Sequence, residues 1–412
     1  MSAAYGLVLL VVLMDTLGIG LVLPIVPALV AEVLGRSPAD ISREYGGLVF
    51  SYALMQFLFA PLLGRVSDRI GRRPVILITL FVAAIDYLVC AWTGSMFWLV
   101  AARALAGACG ANYSTASSYL ADLTPPERRA QAFGAIGAAA GLGFVIGPLV
   151  GGVLAEFGTR APFYAAAMVT SITLLGALRF LKESLTKPDT RRFALRDFNP
   201  FAPLANLWRH ASRFPLAAGV FFWHLAGSCV TSVWVLYTVE RFNWSGTHVG
   251  ISLAAWGALT MVGLGVLPGL VLPRLGERRT VVVGSALSFI ALILYGLVSQ
   301  GWLLYPVMVI AALGMVVQPA LYAALSKLAE PSEQGGLQGA LQGLYALTLV
   351  IGPIAGTSAF ASFTGEGTRV YLPGAPFFLG AALVAVGLAC VSRRLQGTVG
   401  QPVRPREQVL EN

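Results

Sequence analysis

Twelve apolar runs, each close to the roughly 20 residues that a helix needs to cross hydrocarbon, leave this chain few folds to adopt. They cover about 5–30, 45–64, 75–94, 97–121, 130–155, 161–181, 214–238, 248–272, 280–299, 302–325, 336–362 and 372–392. A chain that is 57% hydrophobic and 11% charged is not a soluble globule. Its net charge of +9 would suggest nucleic acid in a soluble protein. Here the charges lie in short turns between apolar runs, so the expected partner is the lipid bilayer and no nucleic acid is expected.

The densest of these turns is Gly64–Pro74, GRVSDRIGRRP, where Arg65, Arg69, Arg72 and Arg73 are offset by Asp68 alone. Such a cluster cannot enter hydrocarbon, so the flanking runs meet at a cytoplasmic loop. Arg36, Arg43, Arg160, Arg241 and Arg369 are the basic residues of the opposite set of loops. The bias places both termini in the cytoplasm. The polar connection 182–213, rich in Lys and Arg, divides an N-terminal six-helix bundle (1–181) from a C-terminal one (214–392). The polar stretch 393–412 reads as a cytoplasmic tail. The first run, which lacks a basic start and contains Asp15, reads as a retained span and not a cleaved signal.

The halves repeat. GRVSDRIGRR at 64–73 recurs as GLVLPRLGER at 269–278, and VIGPLVGG at 145–152 recurs as VIGPIAGT at 350–357. Gly71 maps to Gly276 and Pro148 to Pro353, both at an offset of 205 residues. Two parallel-related six-helix halves with a substrate site near the midplane are an arrangement of membrane transporters. An enzyme is not expected. No Gly-Lys phosphate loop, HExxH or GxSxG is present, and His210, His224 and His248 are scattered. Cys90, Cys109, Cys229 and Cys390 stand isolated, so neither a disulfide framework nor a metal site is indicated. Transport would draw on an ion gradient or on the solute gradient itself, without a resident cofactor.

Asp15, Asp86 and Arg103 lie deep within apolar runs. A charge at mid-membrane costs at least a few kcal/mol, which marks all three for function. At about 1.5 Å per residue they fall within roughly one helical turn of a common level. One reading is an aqueous cavity where a carboxylate binds and releases a proton; the other is a structural ion pair. Gln56, Gln318, Gln338, Gln342 and Asn112 add polar groups that suit either a ligand or a neighbouring helix. Trp223, Trp234 and Trp256, with Tyr113 and Tyr322, are candidates for an aromatic cavity wall. Gly141, Gly143, Gly147, Pro148, Gly151 and Gly152 crowd the fifth run. Small residues and a helix-bending proline there predict a tight gating seam between the halves. In the Gly64–Gly71 turn, Asp68 is expected to accept hydrogen bonds from a helix N-terminus near Gly335–Gly336. Arg72 is expected to pair with Asp122, and together the two contacts would latch the cytoplasmic side shut in the outward-open state.

LMDTLGIGLVLPIVP at 13–27, YALMQFLFAPLLGRVSDRIGRRPV at 52–75, IDYL at 85–88, GLGFVIGPLVGG at 141–152, ERFNW at 240–244 and GALQG at 339–343 carry a further signal. Over nearly its whole length the chain resembles the drug–proton antiporters of the major facilitator superfamily, and within them the bacterial tetracycline efflux proteins. The resemblance implies an all-α fold of twelve transmembrane helices in two pseudo-symmetric bundles. It implies proton and substrate roles for Asp15, Gln56, Asp86 and Arg103, and gating roles for Asp68, Arg72 and Asp122. In the second half the pattern departs: Thr260 stands where a histidine is typical, Leu264 for a glutamine, Ser288 for an aspartate and Tyr322 for another glutamine.

The resulting expectation is a monomeric, proton-coupled antiporter of the bacterial inner membrane. It would export a small amphipathic drug, with tetracycline foremost and magnesium present only as a substrate complex. Alternatives are export of another drug or an endogenous metabolite, a non-transporting membrane sensor, and uptake by proton symport.

Overall fold

The computed structural model describes residues 3–37, 40–110, 112–185, 199–201, 207, 213–330, 333–365, 368 and 370–397. Most of the 182–213 connection, Arg369 and the tail beyond 397 lie outside the described residues. Fifteen α-helices and no strands are found among those described. In the first half they are α1 (Ala3–Val22), α2 (Val26–Leu34), α3 (Ser42–Ile70), α4 (Arg72–Trp92), α5 (Met96–Ala108), α6 (Asn112–Leu123), α7 (Arg129–Leu154) and α8 (Ala161–Phe180). In the second they are α9 (Phe214–Phe242), α10 (Gly246–Gly265), α11 (Leu267–Leu297), α12 (Leu304–Gly314), α13 (Val317–Ser326), α14 (Gln334–Thr364) and α15 (Ala375–Gly397).

Eleven helical segments of the described chain are long and apolar enough to cross a membrane. The remaining run, 97–121, is present as α5 and α6, with α5 ending at Ala108 and Cys109 and Gly110 outside either helix. The first run is likewise divided, because Pro24 and Pro27 each remove a helix donor, and it becomes α1 and α2. The surface agrees with a lipid surround. Met168, Ile172 and Leu175 on one stripe of α8 are at least 60% exposed, a face that water would not tolerate.

The repeat is visible in the backbone. Gly71 has φ 113° and ψ 158°, and its mate Gly276 has φ 70° and ψ 166°. Both hold a backbone that glycine adopts readily and residues with a Cβ rarely do. The break between α5 and α6 recurs between α12 and α13, and Gly110 and Met315 stand at the same 205-residue offset. The fourth and tenth spans are thus both jointed at mid-length.

The halves touch along two seams. α3 packs on α14, where Gly46 admits the Thr357 side chain, and α7 packs on α10, where Gly152 and Gly246 bring two backbones together. Both contacts lie far from the Gly64–Pro74 turn. There one apolar core runs through both halves and joins Leu21, Ile25, Tyr45 and Phe163 to Trp234, Tyr237, Tyr295 and Phe360. Toward the turn, which marks the basic face of the bundle, the core divides. Val8, Val11, Ile76, Leu120 and Ile136 form one cluster; Leu216, Val281, Val317, Leu337 and Val391 form a separate one.

Candidate functional site

The joint in the fourth span builds the site. A helix that stops leaves carbonyls without partners, and the Gly110 carbonyl accepts a hydrogen bond from Gln56 Nε2 at 2.9 Å. Gly107 lets α5 lie against the Tyr52 backbone of α3, where any Cβ would collide. The chain then restarts with Asn112, the first residue of α6, pointing inward. Asn112 Nδ2 donates to Asp15 Oδ1 at 2.7 Å, and Asn112 Oδ1 accepts from Thr79 Oγ1. One asparagine thereby ties α1, α4 and α6 together around the Asp15 carboxylate.

The second carboxylate is held differently. Asp86, 3% exposed, faces the Arg103 guanidinium with both oxygens: Arg103 Nε donates to Oδ1 at 3.0 Å, and Nη2 donates to Oδ2. The guanidinium also lies 5.9 Å from the Tyr52 ring centre and 5.7 Å from that of Tyr87. Two-point pairing of this kind fixes geometry as well as charge. Arg103, placed from sequence at the level of both aspartates, is paired with Asp86. Asp15 has an amide partner and no cation among the described residues.

Of the two contacts of the expected latch, the described residues show the Arg72–Asp122 pair. Asp68 pairs with Arg72 one turn along, at 2.5 Å, on its own side of the molecule. A Cβ on Gly335, at the start of α14, would meet nothing within 4 Å. Arg72 does reach Asp122, with Nε 3.3 Å from Oδ2, and also donates to Ser67 Oγ at 3.1 Å. The carboxylate that receives a helix N-terminus is Glu183: it accepts from the backbone N–H of Arg72 at 2.8 Å and of Arg73 at 3.1 Å. The physics expected of Asp68, a carboxylate at a positive helix end, operates at Glu183 within one half. Sequence reasoning missed Glu183, although it is an acidic residue directly after the sixth span. A Cβ on Gly71 would strike that carboxylate; a Cβ on Gly64 would meet open space.

The fifth-run glycines divide between two seams. Gly143, Gly147 and Gly151 face α1, where a Cβ on Gly147 would lie 2.8 Å from Gly20 Cα. This contact is internal to the first half and not the predicted seam between halves. Gly141 and Gly152 do face α10, as does the Pro148 carbonyl, which lies against Gly250.

In the second half the predicted residues divide into two groups. Trp223, Trp234 and Trp256 line a cavity of about 140 Å³ with Tyr295, Met308 and Ser288. Thr260 is not free to take the place of a histidine, because its hydroxyl donates to its own helix at the Trp256 carbonyl, 2.8 Å away. Tyr113 is 52% exposed on α6 and lies outside this cavity. The second group is Gln318, Tyr322, Tyr345 and a residue the sequence reading passed over, His224. The Tyr322 hydroxyl is 3.3 Å from His224 Nε2, and the Tyr345 ring centre is 4.8 Å from that of the imidazole. Gln318 stands one turn before Tyr322 on α13. The signal for His224 was present: the repeat offset takes Asp15 to position 220, one turn before it on the same helix face.

The profile of the Major Facilitator Superfamily matches residues 8–353, and a second match covers 216–410. The chain belongs to this superfamily. As a member it is a multi-pass membrane transporter and not an enzyme. It is 37% identical to the tetracycline resistance protein, class C, of Escherichia coli, over 93% of this chain and 94% of that one. It is also 37% identical to the class G protein of Vibrio anguillarum, over 92% and 96%. Among solved structures it shares the fold of the nucleoside transporter NupG, with TM-score 0.75 and 13% identity, covering 96% of this chain and all of that one. The human organic anion transporter MFSD10 superposes with TM-score 0.67 at 24% identity, over 94% and 98%.

Proposed function

We propose that this protein is a proton-coupled antiporter that exports a tetracycline-like amphipathic drug. It acts as a monomer in the bacterial inner membrane, with both termini and the basic face in the cytoplasm. The excess of Arg at the Gly64–Pro74 turn supports that orientation. With the apolar core divided at the basic face, the arrangement is the inward-open form, ready to load drug from the cytoplasm.

One observation carries the coupling: Asp15 is a mid-membrane carboxylate whose described partner is the Asn112 amide, whereas Asp86 is neutralised by Arg103. A carboxylate without a cation changes charge when it takes a proton, and the surrounding helices respond to that change. Asp86 and Arg103 supply fixed geometry instead. Drug entering from the cytoplasm meets Asp15 and Gln56 on one side and the Trp223–Trp256 wall on the other. Its arrival displaces the proton from Asp15. In the outward-open form the drug leaves and Asp15 reloads from outside. Magnesium travels, where it travels at all, bound to the drug.

The alternative of a different exported compound is favoured by the second half. Thr260 is turned to its own backbone and Ser288 lies in an apolar, aromatic cavity. Neither offers the charged ligand that a metal-bound drug would prefer.

The test uses inside-out vesicles with an acid interior, followed by a pH-sensitive dye. Tetracycline with magnesium should collapse the gradient, and Asp15→Asn should abolish that response. A panel of other amphipathic drugs is then added. A gradient that no compound disturbs refutes transport coupled to protons. A response to another drug with silence toward tetracycline selects the alternative.

A further inference from the structure

We infer that His224 is a second proton-carrying group, the counterpart in the C-terminal half of Asp15; the inference rests on the antiport reading above. The first argument is position. α9 is the repeat mate of α1, and the offset of 205 places position 220 opposite Asp15. His224 is four residues further along, on the same helix face.

The second argument is the partner. Asp15 is hydrogen-bonded by Asn112 from α6, the segment after the joint in the fourth span. His224 is hydrogen-bonded by Tyr322 from α13, the segment after the joint in the tenth. The same pair of elements holds one titratable group in each half. Tyr322 lies five residues beyond the position equivalent to Asn112 and spans the difference with a longer side chain.

The third argument is the surroundings. His224 is 7% exposed. α13 presents Tyr322, α14 presents Tyr345, and α9 presents Trp223. None of these is a carboxylate or a cation, so no described charge locks the ring. A histidine fixed by an acid would be structural. One held only by a phenol and by aromatic faces retains the freedom to exchange a proton. Tyr345 is 40% exposed, so the cluster is not sealed on every side. Loading forms one N–H bond on the imidazole with a proton from water at the outer face. Unloading breaks that bond and returns the proton to water at the inner face, and no other group changes.

The experiment counts protons released when tetracycline with magnesium binds to the purified, full-length chain in weakly buffered detergent, over a series from about pH 4 to 8. Wild type, Asp15→Asn, His224→Gln and the double variant are compared. Each single variant should release fewer protons than wild type by about one per drug, and the double variant none. A His224→Gln count equal to wild type overturns this inference and leaves the Asp15 reading intact. No release from wild type overturns both. Should His224→Gln not fold, isotope-edited infrared difference spectra of labelled histidine in wild type serve instead, because the chain holds three histidines. The His210→Gln and His248→Gln variants assign the signals. Loss of an imidazolium band on drug addition supports the proposal, and an unchanged His224 band refutes it. Tyr322→Phe, which removes only the hydroxyl, should shift the pH at which the His224 proton leaves without changing the count.

Discussion

Replacing Asp86 by Asn separates a structural carboxylate from a coupling one. The Asp86 side chain is 3% exposed and that of Arg103 15%, so removing one partner leaves a buried, unpaired guanidinium. Breaking a buried pair in this way costs about 3–5 kcal/mol. The rings of Tyr52 and Tyr87 remain against the guanidinium, and contacts of that kind contribute about 0.5–2 kcal/mol each when shielded from water. The low end, about 3 kcal/mol, is therefore expected, or about a hundredfold in the folding equilibrium. The double variant Asp86→Asn with Arg103→Gln removes both charges and should recover most of the loss. Asp15→Asn is the contrast: an amide there still accepts from Asn112, so stability should change by no more than about 1 kcal/mol. A thiol-reactive dye reads the melt in detergent, because Cys90 and Cys229 are buried free thiols. The expected order is Asp86→Asn well below wild type, with Asp15→Asn and the double variant near it. An Asp86→Asn protein that melts with wild type, or a double variant weaker than the single, refutes the division of roles.

Gly71→Ala places a Cβ at φ 113° and against the Glu183 carboxylate. It should lower stability by about 1–3 kcal/mol, measured by the same melt, whereas Gly64→Ala should be nearly silent. Gly147→Leu should prevent assembly of the first half, read as lost monodispersity on size exclusion, because Gly20 Cα occupies the space. Cysteines at positions 46 and 357 should cross-link readily in membranes without drug. Cysteines at 68 and 335 should not, and efficient linkage of that second pair would contradict the proposed inward-open form. The Glu277–Lys327 pair, 2.7 Å long with Lys327 72% exposed, should show a coupling below about 1 kcal/mol in a double-mutant cycle. The better buried Arg72–Asp122 pair should show more.

The architecture was legible because hydrocarbon imposes one rule, that backbone polar groups be satisfied within each segment. Run length and the offset of 205 therefore gave the spans and the division into halves. Joints inside spans were harder to see. Cys109–Ala111 is apolar and small, so the fourth run reads as continuous, and only tertiary contacts with Gln56 and Tyr52 reveal the break. Contacts within the apolar region follow residue type and depth, which is how Asp86 and Arg103 were placed at one level. Depth alone could not say which aspartate the arginine chooses, because that depends on the rotation of α1 against α4. The Asp68 contact to the second half belongs to the outward-open state; here Asp68 pairs one turn along with Arg72.

The repeat also shows what has been kept and what exchanged. At the basic face Arg72 pairs with Asp122; the offset carries these to Glu277 and Lys327, which also pair. The charges are reversed while the contact survives. A bond that persists with its poles exchanged is under pressure for attraction between those two helix ends and not for a particular charge. Asp68 and Asp15 are different. Their mates are Pro273 and Val220, so the second half keeps the clasp and drops both of these carboxylates. Under the proposed coupling the two halves would carry protons in unlike surroundings, Asp15 beside the Asn112 amide and His224 beside the Tyr322 phenol.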